Sequence, residues 1–139
     1  MLKNLVIVSV FLTLLVAACN LQGQTSPKTP PGEYKIPPEA TNQTNPVKPS
    51  PESLASGKKI YGYDCAMCHG KNGDGKGEIT DMKKIPDFTD PAALQGYTDG
   101  DLFYIIQKGK GDMPPEGDRA KAEDLWNLVN YVRSFAKKK

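Results

Sequence analysis

Eight of the twenty-five residues from Pro27 to Pro51 are proline, interleaved with Thr, Ser, Asn, Gln and Lys. No apolar periodicity runs through this stretch, and such a composition buries too little surface to offset the entropy of ordering it. It predicts a disordered linker over 19–51, extended at roughly 3.1 Å per residue where polyproline II prevails. The competing reading is that part of it, Gly32-Glu-Tyr-Lys-Ile-Pro37, packs on a partner protein, with Tyr34 and Ile36 the only residues of that segment that could anchor it. Residues 52–139, about ninety in all, are left for a compact domain. A chain of that size folds alone but buries only about 60–65% of its unfolded surface. It therefore gains from an internal ligand that brings apolar surface of its own. Multi-domain enzymes, tandem repeats and bundles with several membrane spans are excluded at this length. Lys and Arg number 18 against 16 Asp and Glu, which lacks the basic excess of a nucleic-acid binder. The single His excludes every site that needs two or more.

The first eighteen residues read as an export signal. Lys3 supplies the positive start, and residues 5–18 form an apolar run of fourteen. That is short for a bilayer span, which takes about 20 residues, and fits the apolar region of a signal peptide. The run ends at Val16-Ala-Ala-Cys19, which resembles the lipobox of bacterial lipoproteins. That resemblance implies removal of 1–18, acylation of Cys19 and anchoring of the exported chain to a membrane of the cell envelope, since two or three acyl chains hold firmly. The competing reading is an ordinary signal peptide cut after Ala18.

From Ser50 the texture changes. Ser50-Pro51-Glu52 combines a cap, a first-position proline and a first-turn acid, and predicts a helix to about Asp64 that delivers Cys65 at its end. A second helix is signalled by Thr98 as cap and by Leu102-Phe-Tyr-Ile-Ile106, with Gly109 as its stop. The third is expected from about Arg119 to Ala136. Its apolar positions Leu125, Leu128, Val129, Val132 and Phe135 recur at intervals of three and four. Between the first two helices, Gly70, Gly73, Gly75, Gly77 and Pro86 break anything longer than a turn. No strand pair is evident, so the fold class is all-α: about three main helices plus loops.

The chemistry sits at Cys65-Ala-Met-Cys-His69. Cys-x-x-Cys-His is the attachment sequence for c-type haem. Cysteines three apart on a helical turn face one way, so both sulfurs reach the two vinyl groups of one porphyrin, and the adjoining His69 falls under the iron. A zinc site needs four ligands, usually from two separated pairs, and no second pair exists. A thioredoxin-type redox pair sits in a βαβ setting, which is missing. A disulfide between Cys65 and Cys68 would leave His69 unexplained. One covalent haem c with its iron is therefore expected, wrapped by the helices.

The second axial ligand follows by elimination. Met1 leaves with the signal, and Met67 lies inside the attachment turn. Met113 sits in Gly109-Lys-Gly-Asp-Met-Pro-Pro115, between two helices, where glycines let a loop lie against a ring and prolines fix its exit. Met82 comes only 13 residues after His69 and is poorly placed to cross to the other face. Met113 is the candidate. Met82 or an open position is the alternative, and gap-filling in a core is the ordinary use of any Met.

From about Ser53 to Phe135 the chain resembles a class I monohaem cytochrome c of the small bacterial type. Gly57-Lys-Lys-Ile-Tyr61 is similar to that family's N-terminal helix, where glycine permits close crossing by the C-terminal helix, and Leu128 and Tyr131 match the positions that meet it. The resemblance implies Cys65 and Cys68 as thioether sites, His69 and Met113 as axial ligands, and Pro86 as carbonyl acceptor for the proximal histidine's ring N–H. It also implies an electron carrier and no enzyme. Such a carrier passes electrons between redox proteins of the respiratory chain, either tethered or as a subunit of a quinol-oxidising or oxidase complex. The alternative is a haem enzyme or gas sensor with a labile sixth position. The acids read as solvated surface, as do most lysines. Lys71, Lys76, Lys108 and Lys110 flank the loops expected to meet the haem and are placed to steer an acidic partner.

Overall fold

A computed structural model describes residues 34–79 and 85–136. Its elements are α1 (Pro38–Thr41), α2 (Pro51–Ile60), a π-helical turn over Tyr61–Cys65, α3 (Ala66–His69), α4 (Pro91–Leu94), α5 (Asp99–Lys108) and α6 (Ala122–Phe135). Among the described residues there is no strand, only an isolated bridge between Lys110 and Met113. No helix among them is long and apolar enough to cross a membrane. The all-α expectation holds, with α2, α5 and α6 as its three main helices.

The caps explain two of the starts. Ser50 Oγ accepts from the Ser53 amide at the head of α2. Thr98 and Asp101 form a reciprocal capping box at the head of α5, and Gly109, with φ 76°, ends that helix. The last helix begins later than its sequence suggests. The Glu116 carbonyl accepts from the amides of both Arg119 and Ala120, at 3.0 and 3.1 Å, which closes a separate turn. Lys121 is then extended as the residue before α6.

The most extensive helix contact is α2 against α6. Gly57 makes it possible: a Cβ built there would lie 2.7 Å from Tyr131 Cβ and closer still to the Asn127 carbonyl. Beyond the crossing, Tyr61, Tyr131 and Phe135 pack edge to face at 4.9–5.4 Å, in a core completed by Leu125, Leu128 and Val129.

The expected linker over 19–51 needs correction at its C-terminal end. The compact unit starts at Tyr34, not at Glu52. Ala40 of α1 is buried, and a Cβ on Gly100 would collide with its carbonyl, so α1 lies directly on α5. Thr41 Oγ1 donates to Asp101 Oδ1 at 2.6 Å, and Thr98 Oγ1 donates to the Thr41 carbonyl at 2.8 Å. Asn45 donates to the Trp126 carbonyl and to Asn130 Oδ1, while Asn130 donates to the Val47 carbonyl and Ser53 Oγ. Proline supplies the extended backbone of this strap, and a few polar side chains fasten it. Cys19 and the rest of 1–33 lie outside the described residues, as does Met82.

Candidate functional site

The Cys65–His69 segment leaves α2 through the π-helical turn, whose widened backbone re-aims the chain by one extra residue. Cys65 and Cys68 then stand three apart at the start and within α3, and Gly70, with φ 77°, ends it immediately after His69. Tyr61 is nearly sealed from solvent and its hydroxyl donates to the Gly70 carbonyl at 2.8 Å. This bond fastens the end of the turn to the helical core. The following loop folds back: the Gly75 amide donates to the His69 carbonyl at 3.0 Å, and the Phe88 amide to the Gly73 carbonyl at 2.7 Å.

Met113 arrives from the segment between α5 and α6. The amide of Lys110 donates to the Met113 carbonyl at 3.1 Å and the amide of Met113 to the Lys110 carbonyl at 3.0 Å. Gly109 and Gly111 take positive φ to make the turn. The exit is tied back to α5, because the Glu116 amide donates to the Ile106 carbonyl and the Gly117 amide to the Gln107 carbonyl.

Cys65, Cys68, His69 and Met113 line one cavity of about 540 Å³, within the usual range of about 300–1,000 Å³ for cofactor sites. Phe88, Leu94 and Ile105 supply apolar wall. Burial pushes the Cys65 thiol up to about 12, and the Glu116 and Asp64 carboxylates add to the rise against Arg119. A reactive redox pair has the opposite tendency, a depressed thiol. Burial also lowers the pKa of His69, which disfavours its charged form. Among the described residues no three His, Cys, Asp or Glu converge as a site for a bare metal ion. A donor set of two thiols, one imidazole and one thioether around an apolar space fits an iron that brings its own equatorial ring.

No hydrogen bond joins His69 to the Pro86 carbonyl in this structure. Pro86 lines the cavity, and its carbonyl oxygen lies 3.3 Å from a Cβ built at Gly75. His69 Nδ1 is buried and has no hydrogen-bond partner. The ring is instead stacked on Phe88, with centroids 4.8 Å apart and planes 19° from parallel. Phe88 was missed because an aromatic inside a Gly/Pro-rich loop carries no periodic signal.

Two acids depart from the solvated reading. Glu116 is only 3% exposed, sits on the cavity wall and pairs with Arg119, which also reaches Asp64 at 3.8 Å. Asp101 is buried in the α5 cap. Among the lysines, Lys110 lines the cavity with its ammonium held between tyrosine rings.

A helical domain that builds one apolar cavity from a Cys-x-x-Cys-His turn and a methionine-bearing loop has the architecture of a c-type cytochrome. Residues 52–132 match the family described as cytochrome c oxidase, cbb3-type, subunit III, and the chain belongs to that cytochrome c family. Like its members, it carries covalently bound haem c with its iron. It is 31% identical to chloroplastic cytochrome c6 of Chlamydomonas reinhardtii, over 64% of this chain and 59% of that protein. It is 31% identical to the quinohemoprotein alcohol dehydrogenase ADH IIB of Pseudomonas putida, over 87% of this chain but only 16% of the enzyme. The cbb3-type oxidase subunit CcoP of Rubrivivax gelatinosus is 32% identical over 62% of this chain and 27% of that subunit. Among solved structures, a reducing HAO-like protein complex from Kuenenia stuttgartiensis aligns with a TM-score of 0.58 at 27% identity, covering 65% of this chain and 46% of that one.

Proposed function

We propose that this chain is a membrane-anchored monohaem electron carrier, passing single electrons between respiratory-chain partners. The observation that carries the reading is the one cavity lined by Cys65, Cys68, His69 and Met113 together. Cys65 and Cys68 would hold the ring through thioethers, with His69 and Met113 as axial ligands. The bound haem supplies a one-electron ferric–ferrous couple. The chain's part is to fix the ligands and to exclude water. Phe88 and the Tyr61–Gly70 bond orient the His69 turn, and the apolar wall lowers the local dielectric, which disfavours the extra charge of the ferric state. A thioether ligand shifts the potential upward relative to a second histidine. None of this needs a general acid, base or nucleophile, so the protein is read as a carrier and no enzyme.

The names of two relatives, an oxidase subunit and a quinohemoprotein dehydrogenase, support redox proteins as partners, whether the domain moves between them or is fixed in a complex. Acylated Cys19 would hold it to a membrane on the periplasmic side or the cell surface, a reading that rests on the lipobox resemblance alone. The test is a visible spectrum with two variants. Met113→Ala should remove the ferric sulfur–iron band and open the ferrous iron to carbon monoxide, whereas Met82→Ala should do neither. Ready carbon monoxide binding by the unmutated ferrous protein would favour a haem enzyme or gas sensor instead.

A further inference from the structure

The Met113 turn is gripped from outside by residues that no part of the haem motif includes. Tyr34 stands at the start of the strap, and its hydroxyl donates to the Gly109 carbonyl at 2.9 Å, across 75 positions of sequence. Its ring lies against Tyr104 of α5, with centroids 6.5 Å apart and planes tilted by 59°. The Lys110 ammonium sits 5.2 Å from the centre of the Tyr34 ring and 5.3 Å from that of Tyr97. It also donates to the Tyr97 hydroxyl at 3.1 Å.

Lys110 is the residue whose amide and carbonyl both pair with Met113. Its backbone therefore holds the methionine while its side chain is held by two aromatic rings. One ring comes from the strap and the other from the turn before α5. Each contact is modest at a partly exposed position, but all act on the same five-residue turn, 109–113. The strap itself is fastened by Thr41, Thr98 and Asn45, so Tyr34 is a fixed point and not a loose end.

We propose that Tyr34, Tyr97 and Lys110 form a clasp that sets how readily Met113 leaves the iron, which makes them positioning residues for the axial ligand. This rests on the reading of Met113 as that ligand. Without the clasp, the turn is held by its two bridge hydrogen bonds and, at its two ends, by the Gly109 amide on the Ile105 carbonyl and the Glu116 amide on the Ile106 carbonyl; between those ends its glycine-rich backbone opens easily. Departure of the methionine should then become frequent while the helical core stays closed.

The test uses the full-length, haem-loaded protein with Tyr34→Phe, Tyr34→Ala, Lys110→Met, Lys110→Arg and Met113→Ala. Three quantities are read: the rate of carbon monoxide binding to the ferrous form, amide hydrogen exchange at Lys110 and Met113, and the midpoint of thermal unfolding. Tyr34→Phe removes one oxygen and keeps the ring, and should raise the binding rate and the exchange about fivefold, the worth of a single hydrogen bond. Tyr34→Ala and Lys110→Met should raise both tenfold or more. Lys110→Arg keeps a cation over the rings and should stay within about twofold of the parent. The clasp is overturned if binding and exchange stay at parent values, including the case where only the unfolding midpoint falls, because that is plain structural support. Met113→Ala separates the two readings. If it loses the sulfur–iron band while the Tyr34 and Lys110 variants are inert, the clasp alone fails. If it keeps the band, the ligand reading fails and the clasp with it.

Discussion

His69 lies face to face with Phe88, their ring centres 4.8 Å apart, and Phe88 is in turn stacked on Phe135 at 6.5 Å. A column of three rings thus runs from the attachment turn to the last turn of α6. Stacking on Phe88 is the ring contact that orients the plane of the imidazole. The Phe88 amide, bonded to the Gly73 carbonyl, fixes the height of the column.

Phe88→Ala should therefore do more than open a cavity. A buried Phe truncated to Ala costs about 3–5 kcal/mol, and denaturant unfolding of the haem-loaded protein measures it. The same variant frees the His69 ring to turn, so the reduction potential should shift as well. An unchanged potential would mean that the ring is held by something other than Phe88.

Gly57 has no room for a methyl group against the backbone of α6. Gly57→Ala should cost at least about 3 kcal/mol, at the severe end of overpacking. Gly62, whose Cβ position is open, should accept alanine with a change within about 0.5 kcal/mol. Parallel chemical denaturation of the two variants makes the comparison.

Asp101 gives a pH signature. Burial pushes its carboxyl up, but the bonds from the Thr41 hydroxyl and the Thr98 amide, with the charge of Arg133, pull it down, and the net shift is downward. A folded-state pKa below the unfolded one contributes stability that is complete above about pH 4 and is lost as pH falls through the folded value. Asp101→Asn should lower stability at neutral pH by about 1 kcal/mol, the usual worth of a cap. It should also flatten the acid limb of a stability–pH curve. An acid limb that keeps its slope in the variant would assign that slope to other carboxyls.

How far the chain could be read in advance depended on which signals are local. The Cys65–His69 motif is contiguous, and α6 shows its apolar stripe every three to four residues, so both were legible. Both ends of α5 are marked by residues that act on their own backbone, Thr98 and Gly109. The strap was not legible: its partners lie 57–85 positions away, and its polar, proline-rich composition is that of a linker. Glu116 looked like surface because what buries it is the fold of the Met113 segment with Arg119 across it. The role implied for Pro86 was not legible from the residues either, because nothing local in the sequence says which way a carbonyl points.

Asn45 tests the strap apart from the haem. Its amide is shared between the Trp126 carbonyl and Asn130 Oδ1, and Asn130 is buried. Asn45→Ala should cost about 1–2 kcal/mol, because a buried polar atom loses its partner. Residues that were only a tether would give no change in thermal or denaturant unfolding.

The claim on which everything else rests is covalent attachment through Cys65 and Cys68. The direct measurement is the mass of the purified protein after denaturation and extraction with acid and organic solvent. The account predicts a chain that keeps one haem through that treatment, and complete loss of the added mass when both cysteines are replaced by alanine. Haem that extracts freely from the unmutated chain, or haem mass that survives in the double variant, would contradict it.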